Sequence, residues 1–170
     1  RRHGPCRTFT WGSNALIANT VLDLAKSRSL MIATAESCTG GMVIAALTDI
    51  PGSSAVVDRG FVTYSNAAKM DMLAVRSDTL AAHGAGSEQV ALEMAEGAIA
   101  NSCADIAVSI TGIAGPGGSE HKPEGRVCFG ISRKGMKTRT ETIEFGSVGR
   151  DQVRLLSRNH ALEMLARELG

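Results

Sequence analysis

The run Ile106-Ala107-Val108-Ser109-Ile110 constrains the fold most strongly, because apolar, β-branched residues at that density suit a strand buried on both faces. It feeds directly into TGIAGPGGSEHKPEG at residues 111–125, a glycine-rich loop too long to be a tight turn and of the kind that is usually functional or mobile. A strand buried on both faces requires helices on both sides of its sheet, and the rest of the chain supplies them. Residues 14–27 place Leu16, Ile17, Val21, Leu24 and Ala25 at helical spacing behind Ser13 and Asn14 as candidate caps. Leu30 to Ala35 reads as a strand, ESCTGG at 36–41 as a turn, Met42 to Leu47 as a helix and Pro51-Gly52 as its stop. Ala55 to Thr63 has strand composition, Ser65 caps a short helix over 66–73, and a second short helix covers 77–82. Ser87 caps a helix reaching to about Asn101, whose small residues permit close packing. Val127 to Ser132 and Thr138 to Phe145 alternate as paired strands around Lys134-Gly135, and 150–169 closes the chain as a helix.

This order predicts the α/β fold class: a three-layer α/β/α domain around a central, mixed β-sheet. The C-terminal hairpin breaks strict βαβ alternation, so the pattern does not fix the strand order. Residues 14–170 form one domain without repeat or linker, and residues 1–13 are set apart as an irregular N-terminal arm.

A chain of 170 residues is long enough to bury a core without disulfides or metals. Hydrophobic residues at 44% and charged residues at 21% exclude wholesale disorder and collagen-like classes. No interior apolar run nears the roughly 18 residues of a membrane span. Arg1, Arg2 and Arg7 hold three of the 18 basic residues, so the body of the chain carries a slight acidic excess. With 4% aromatic residues and no Lys/Arg stripe, the footprint of a direct nucleic-acid binder is missing. Cys6, Cys38, Cys103 and Cys128 are far apart and form no C-x-x-C, which points to reduced thiols and a cytoplasmic location. Cys103 and Cys128 are expected as small core residues.

The sharpest local feature is ATAESCTGG at 33–41, which puts a hydroxyl and a thiol at a strand-to-helix turn. The first free N–H groups of the helix, with its dipole, would there stabilise an oxyanion beside a Ser37 or Cys38 nucleophile. The plain alternative is an N-cap, which Ser and Thr fill regardless of function. A serine nucleophile needs a base, and Lys69 in YSNAAK at 64–69 is the candidate. Burial or a nearby cation lowers a lysine from about 10.4 toward neutrality, and Tyr64 would relay the proton or orient the amine. The ordinary alternatives are a solvated helix lysine and a half-buried strand tyrosine. The spacing is not Y-x-x-x-K and no G-x-G-x-x-G follows a strand, which disfavours a dehydrogenase. Glycines 112–118 expose backbone N–H groups to a phosphate or an amide, but the Lys-Ser/Thr of a P-loop is absent. His3, His83, His121 and His160 show no ligand spacing with one another or with cysteine, so no metal site is expected. His160 is expected at a helix surface or edge, and Asp105 as a cap or solvated position.

Taken together, TAESCTGG (34–41), TYSNAAK (63–69), GAGSEQVALEMAEGA (84–98), SITGIAGPGG (109–118) and KPEGRV (122–127) resemble the CinA C-terminal domain family in order and spacing, over roughly residues 14–168. The enzymes of that family are nicotinamide-nucleotide amidohydrolases, also called NMN deamidases. They convert nicotinamide mononucleotide and water to nicotinate mononucleotide and ammonia in pyridine-nucleotide salvage. Other members are fused to an N-terminal domain of different activity or named for competence and DNA damage, and this chain would be a stand-alone version.

Residue by residue, the resemblance implies Ser37 as nucleophile and Tyr64 and Lys69 as its activating partners. It implies a substrate site that includes Thr111, Gly112, Gly115, Gly117 and Gly118. The segment 145–150 loosely resembles a family pattern ending in arginine, which adds Arg150 as a substrate-binding candidate. The chemistry agrees: attack by Ser37 on a carboxamide would give an oxyanion held by N–H groups of the Cys38, Thr39, Gly40, Gly41 turn, then an acyl-enzyme that water hydrolyses. No cofactor or metal is implied. The expected partner is a small-molecule pyridine nucleotide, with no nucleic acid or membrane, and a homo-oligomer is left open. Two other classes stay open: a nucleotide-binding module without turnover, and a protein-interaction module linked to competence or DNA damage. Within the enzyme class, a cysteine hydrolase using Cys38 is the alternative.

Overall fold

Strand β3 (Ile106–Gly112) alternates its side chains between two cores, as a pleated strand inside a covered sheet must. The computed structural model describes residues 12–119 and 121–170. Before β3 come α1 (Gly12–Arg28), β1 (Ile32–Glu36), α2 (Met42–Thr48), β2 (Val57–Val62), α3 (Asn66–Leu73), α4 (Ser77–His83) and α5 (Glu88–Ala100). After it come β4 (Arg126–Arg133), β5 (Arg139–Glu144) and α6 (Arg150–Leu169). Most of the expected arm lies outside the described residues. Helix α1 already begins at Gly12, so Ser13 and Asn14 fall inside its first turn and not before it. A short 3-10 turn, Ser53–Ala55, takes the start of the stretch expected as strand, and β2 begins at Val57.

The five strands are ordered β2-β1-β3-β4-β5. β1 runs parallel to both β2 and β3, while β4 and β5 pair antiparallel, so the sheet is mixed. The chain steps from β1 to β2 on one side through α2, then crosses back to β3 on the other side through α3, α4 and α5. β1 is therefore the switch strand, and the carboxyl ends of β1, β2 and β3 open together at one edge, where α/β sheets bind ligands. Register fixes this alignment: Glu36 at the end of β1 sits opposite Val62 on β2 and Ile110 on β3.

One face of the sheet presents Ile32, Ile106, Val108, Ile110 and Phe129 to Val21, Leu22, Leu47, Leu162 and Leu165 from α1, α2 and α6. Each such aliphatic side chain contributes about 1.5–3 kcal/mol on burial. The other face is built of small residues, Ala33, Ala35 and Ala107, against Val90, Met94 and Ala98 of α5. The small stripe lets α5 press against the sheet: a Cβ on Gly130 would lie 2.6 Å from the Ala91 carbonyl oxygen, inside van der Waals contact. Cys128 is buried as expected, but Cys103 is exposed. The buried strand that follows Cys103 starts only at Ile106. Cys103 itself lies in the preceding turn, where its N–H donates to the Asp58 carboxylate at 2.9 Å. His160 is half-buried, its ring centroid 4.5 Å from that of Phe129, and it bonds Glu141 at 2.6 Å. Asp105 accepts from the Met31 N–H at 2.8 Å and so ties β3 to the start of β1. Among the described residues no helix is long and apolar enough to cross a membrane.

Candidate active site

The backbone leaves β1 at Glu36 and stays in the sheet for one more step, the Ser37 N–H donating to the Ile110 carbonyl at 2.9 Å. It then turns back on itself through Cys38, Thr39, Gly40 and Gly41. The Gly40 N–H donates to the Ser37 carbonyl at 3.0 Å, and both glycines take the positive φ that a side chain resists. Ser37 is thus held by the ladder on one side and by the turn on the other.

Glu36 organises that turn, and sequence reasoning missed it. Its fully buried carboxylate accepts from Thr39 Oγ1 at 2.7 Å, Val43 N at 2.9 Å, Ile44 N at 3.1 Å and Thr34 Oγ1 at 3.3 Å. This removes the first N–H groups of the helix itself from the expected oxyanion donors. The N–H groups of Val43 and Ile44 at the start of α2 are spent on Glu36 and unavailable to a substrate. The plain alternative fails too, since the N-cap of α2 is Gly41, without a side-chain cap. Among the described residues, the N–H groups of Cys38 and Thr39 carry no partner, while that of Gly40 is engaged.

Lys69 comes from α3. Ser65 caps that helix, its Oγ accepting from Ala68 N at 3.0 Å, and the first turn swings Lys69 beneath the end of β1. The side chain is 1% exposed, so it is not the solvated lysine that its type suggests. Nζ lies 3.0 Å from Ser37 Oγ, 2.9 Å from the Thr63 carbonyl and 3.1 Å from the Tyr64 carbonyl. Among the described residues no carboxylate pairs with it, and burial holds its pKa below the ordinary lysine value. Cys38 shifts the other way: burial, reinforced by Glu36, pushes its thiol up to about 12. That is the opposite of an activated thiol.

Tyr64 does not orient the amine through its phenol. Its side chain is 61% exposed in the loop after β2, and its hydroxyl accepts from Arg150 Nη2 at 3.1 Å. Its hydrogen bond with Lys69 is made by the main-chain carbonyl. Arg150, in the first turn of α6, also donates to the Gly115 carbonyl at 2.7 Å, joining the glycine loop to Tyr64. One turn further along α6, Arg154 donates from Nε to the Cys38 carbonyl at 3.0 Å and from Nη2 to the Thr39 carbonyl at 3.4 Å. Its position four residues after Arg150, on the same helix face, was the available signal. For Glu36 the signal was a carboxylate at the end of a buried strand, which must find donors.

These elements enclose a pocket of about 210 Å³, lined by Ser37, Cys38, Tyr64, Lys69, Thr111, Gly112 and Arg150 among others. Thr111 is almost fully buried and its Oγ1 donates to the Ala85 carbonyl at 2.7 Å. Of the other sequence candidates, Thr39, Gly40 and Gly41 shape the turn and do not line the pocket. Gly115 reaches the site through Arg150, and Gly117 and Gly118 lie off the lining. Among the described residues, no group of three or more His, Cys, Asp or Glu side chains could hold a metal ion.

A mixed α/β domain that carries a buried serine–lysine pair at its switch strand is the class that fold and site define. The chain belongs to the CinA C-terminal domain family, whose model matches residues 14–169. It is 54% identical over 143 residues to the nicotinamide-nucleotide amidohydrolase PncC of Escherichia coli strain K12, covering 82% of this chain and 85% of that protein. It is 61% identical over 111 residues to a CinA-like protein of Chloroherpeton thalassium, covering 65% of this chain but only 26% of that longer protein. Two further relatives named as putative competence-damage inducible proteins are likewise spanned only over 37% and 40% of their lengths. Among solved structures, the competence/damage inducible protein CihA of Agrobacterium tumefaciens superposes with a TM-score of 0.90 at 46% identity, covering 95% of this chain and 98% of that one.

Proposed function

We propose that this chain hydrolyses the carboxamide of nicotinamide mononucleotide to nicotinate mononucleotide and ammonia, with Ser37 as nucleophile and Lys69 as its base. The single observation that carries the reading is the set of partners around Lys69 Nζ. A neutral amine donates two hydrogens, one to each carbonyl, and keeps its lone pair for the Ser37 hydroxyl. Burial without a carboxylate partner favours that neutral form. The similarity to PncC supports the substrate class.

In this mechanism Ser37 Oγ attacks the carboxamide carbon while its proton passes to Lys69 Nζ. The Cys38 N–H, on the pocket lining, receives the oxyanion. Lys69 returns the proton to the leaving nitrogen, the C–N bond breaks and ammonia departs. Water then attacks the ester carbon, Lys69 takes its proton, and Ser37 leaves with that proton as nicotinate mononucleotide is released. Arg150 and the start of the glycine loop line the same pocket, and in this reading they contact the rest of the nucleotide. A cytoplasmic setting belongs to the same reading, since pyridine nucleotides are held there.

Ammonia release from purified protein against a panel of amides tests this. Nicotinamide mononucleotide should be the preferred substrate and free nicotinamide a poor one. Saturable nucleotide binding without ammonia would favour a non-catalytic module instead.

A further inference from the structure

We propose that Arg154 is a positioning residue that fixes the direction of the Cys38 N–H beside Ser37 by holding the carbonyls of Cys38 and Thr39 and with them the turn. The inference rests on the amidohydrolase reading. A peptide unit is planar, so its carbonyl and its N–H point in opposite directions and turn together. The Cys38 carbonyl shares a plane with the Thr39 N–H, and the Thr39 carbonyl with the Gly40 N–H. Two consecutive carbonyls drawn toward one guanidinium therefore send both N–H groups the other way. The Gly40 N–H meets the Ser37 carbonyl at 3.0 Å as that geometry requires, and the Thr39 N–H is left without a partner among the described residues.

The Ser37 carbonyl, pinned by Gly40, sets the plane of the remaining N–H, that of Cys38. The donor assigned to the oxyanion is thus aimed through the turn that Arg154 grips. The Thr39 carbonyl also accepts from the Met42 N–H at 3.1 Å, so Arg154 shares that carbonyl with the backbone, whereas at the Cys38 carbonyl it is the donor, at 3.0 Å. Among the described residues Arg154 pairs with no carboxylate, and both hydrogen bonds of its half-buried guanidinium go to this turn. A Cβ at Gly40 would sit 3.4 Å from Arg154 Nη2, in ordinary van der Waals contact, so the guanidinium lies directly against this turn.

The test is steady-state turnover of nicotinamide mononucleotide by Arg154→Met and Arg154→Lys, together with the rate at which a fluorophosphonate labels Ser37. For folded Arg154→Met, kcat should fall about 10–100-fold with KM within about threefold, the range expected when an oxyanion donor is misaimed but not removed. Labelling should fall by a similar factor, because it needs the same N–H group and no nucleotide. Arg154→Lys should fall between parent and Arg154→Met, at least about threefold down in kcat, since one ammonium cannot span two carbonyls as a guanidinium does. If Arg154→Met fails to fold, Arg154→Lys decides.

A folded variant with parental kcat and labelling rate overturns the inference, as does a loss confined to KM. A parent that is labelled at Ser37 but releases no ammonia sinks the amidohydrolase reading instead, and the labelling ratio still judges Arg154. A parent that does neither overturns both.

Discussion

Replacing Glu36 by Gln keeps the shape of the side chain and reverses the polarity of one of its two terminal atoms. The consequence can be worked from the four bonds it accepts. With the amide oxygen placed at the Oε1 position, the bonds from Thr39 Oγ1 and Val43 N survive at 2.7 and 2.9 Å. The NH₂ group then faces the Ile44 N–H, which stood 3.1 Å from Oε2, and donor meets donor. Thr34 can rotate its hydroxyl to accept, so it loses little. The opposite amide orientation is worse, because it sets the NH₂ against Val43 N in a fully buried position. The better orientation leaves one N–H without its acceptor at about 1–3 kcal/mol, and converts charge-assisted bonds to neutral ones for about 1 kcal/mol more. Glu36→Gln should therefore lower the unfolding free energy by about 2–4 kcal/mol, and Tm by about 5–15 °C for a domain of this size. Denaturant titration of parent, Glu36→Gln and the exposed control Glu96→Gln measures it, with the control expected within about 0.5 kcal/mol of parent. A Glu36→Gln protein as stable as that control would refute the claim that this carboxylate holds the turn.

Lys69→Arg should lose about 10²–10⁴-fold in kcat/KM while retaining charge, because a guanidinium cannot deprotonate in this range. The parent's kcat/KM should fall tenfold per pH unit on an acidic limb lying below the ordinary lysine value of about 10.4. The sign in stability is also fixed: burial lowers the folded pKa of Lys69, so the unfolded chain binds more protons between the two values. Relative to Lys69→Met, the parent should gain stability as pH rises through that window, and a stability difference independent of pH would contradict the assignment. Cys38→Ala should keep most turnover, since a thiol with a pKa of about 12 supplies almost no thiolate near pH 7, and its failure in a folded variant would revive the cysteine hydrolase. EDTA should leave the rate unchanged, and a loss restored by zinc or magnesium would overturn the Ser–Lys scheme.

The elements were legible because their signals are local. The dense β-branched residues of β3, the Ser65 and Ser87 caps and the alternating C-terminal hairpin each sit within a few residues of what they determine. Strand order was not legible, because it depends on which helices cover which face and only the full set of contacts decides that. The Ser37–Lys69 pair was readable as chemistry, but its contact spans 32 residues and follows from the parallel register of β1 and β2. The turn was misjudged for a related reason. Local sequence offered Ser37 and Thr39 as caps, whereas the cap on α2 is a carboxylate from the preceding strand, seven residues before Val43. Tyr64 was misread because its phenol was expected beside Lys69, and the hydrogen bond there is made by its carbonyl.

The most direct test of the central claim is to stop turnover of nicotinamide mononucleotide with acid and map the protein by peptide mass. The Ser37–Lys69 account predicts a nicotinate mononucleotide ester on Ser37, formed by the parent, absent from Ser37→Ala and still on Ser37 in Cys38→Ala. An adduct on Cys38, or undiminished ammonia release by Ser37→Ala, would contradict it.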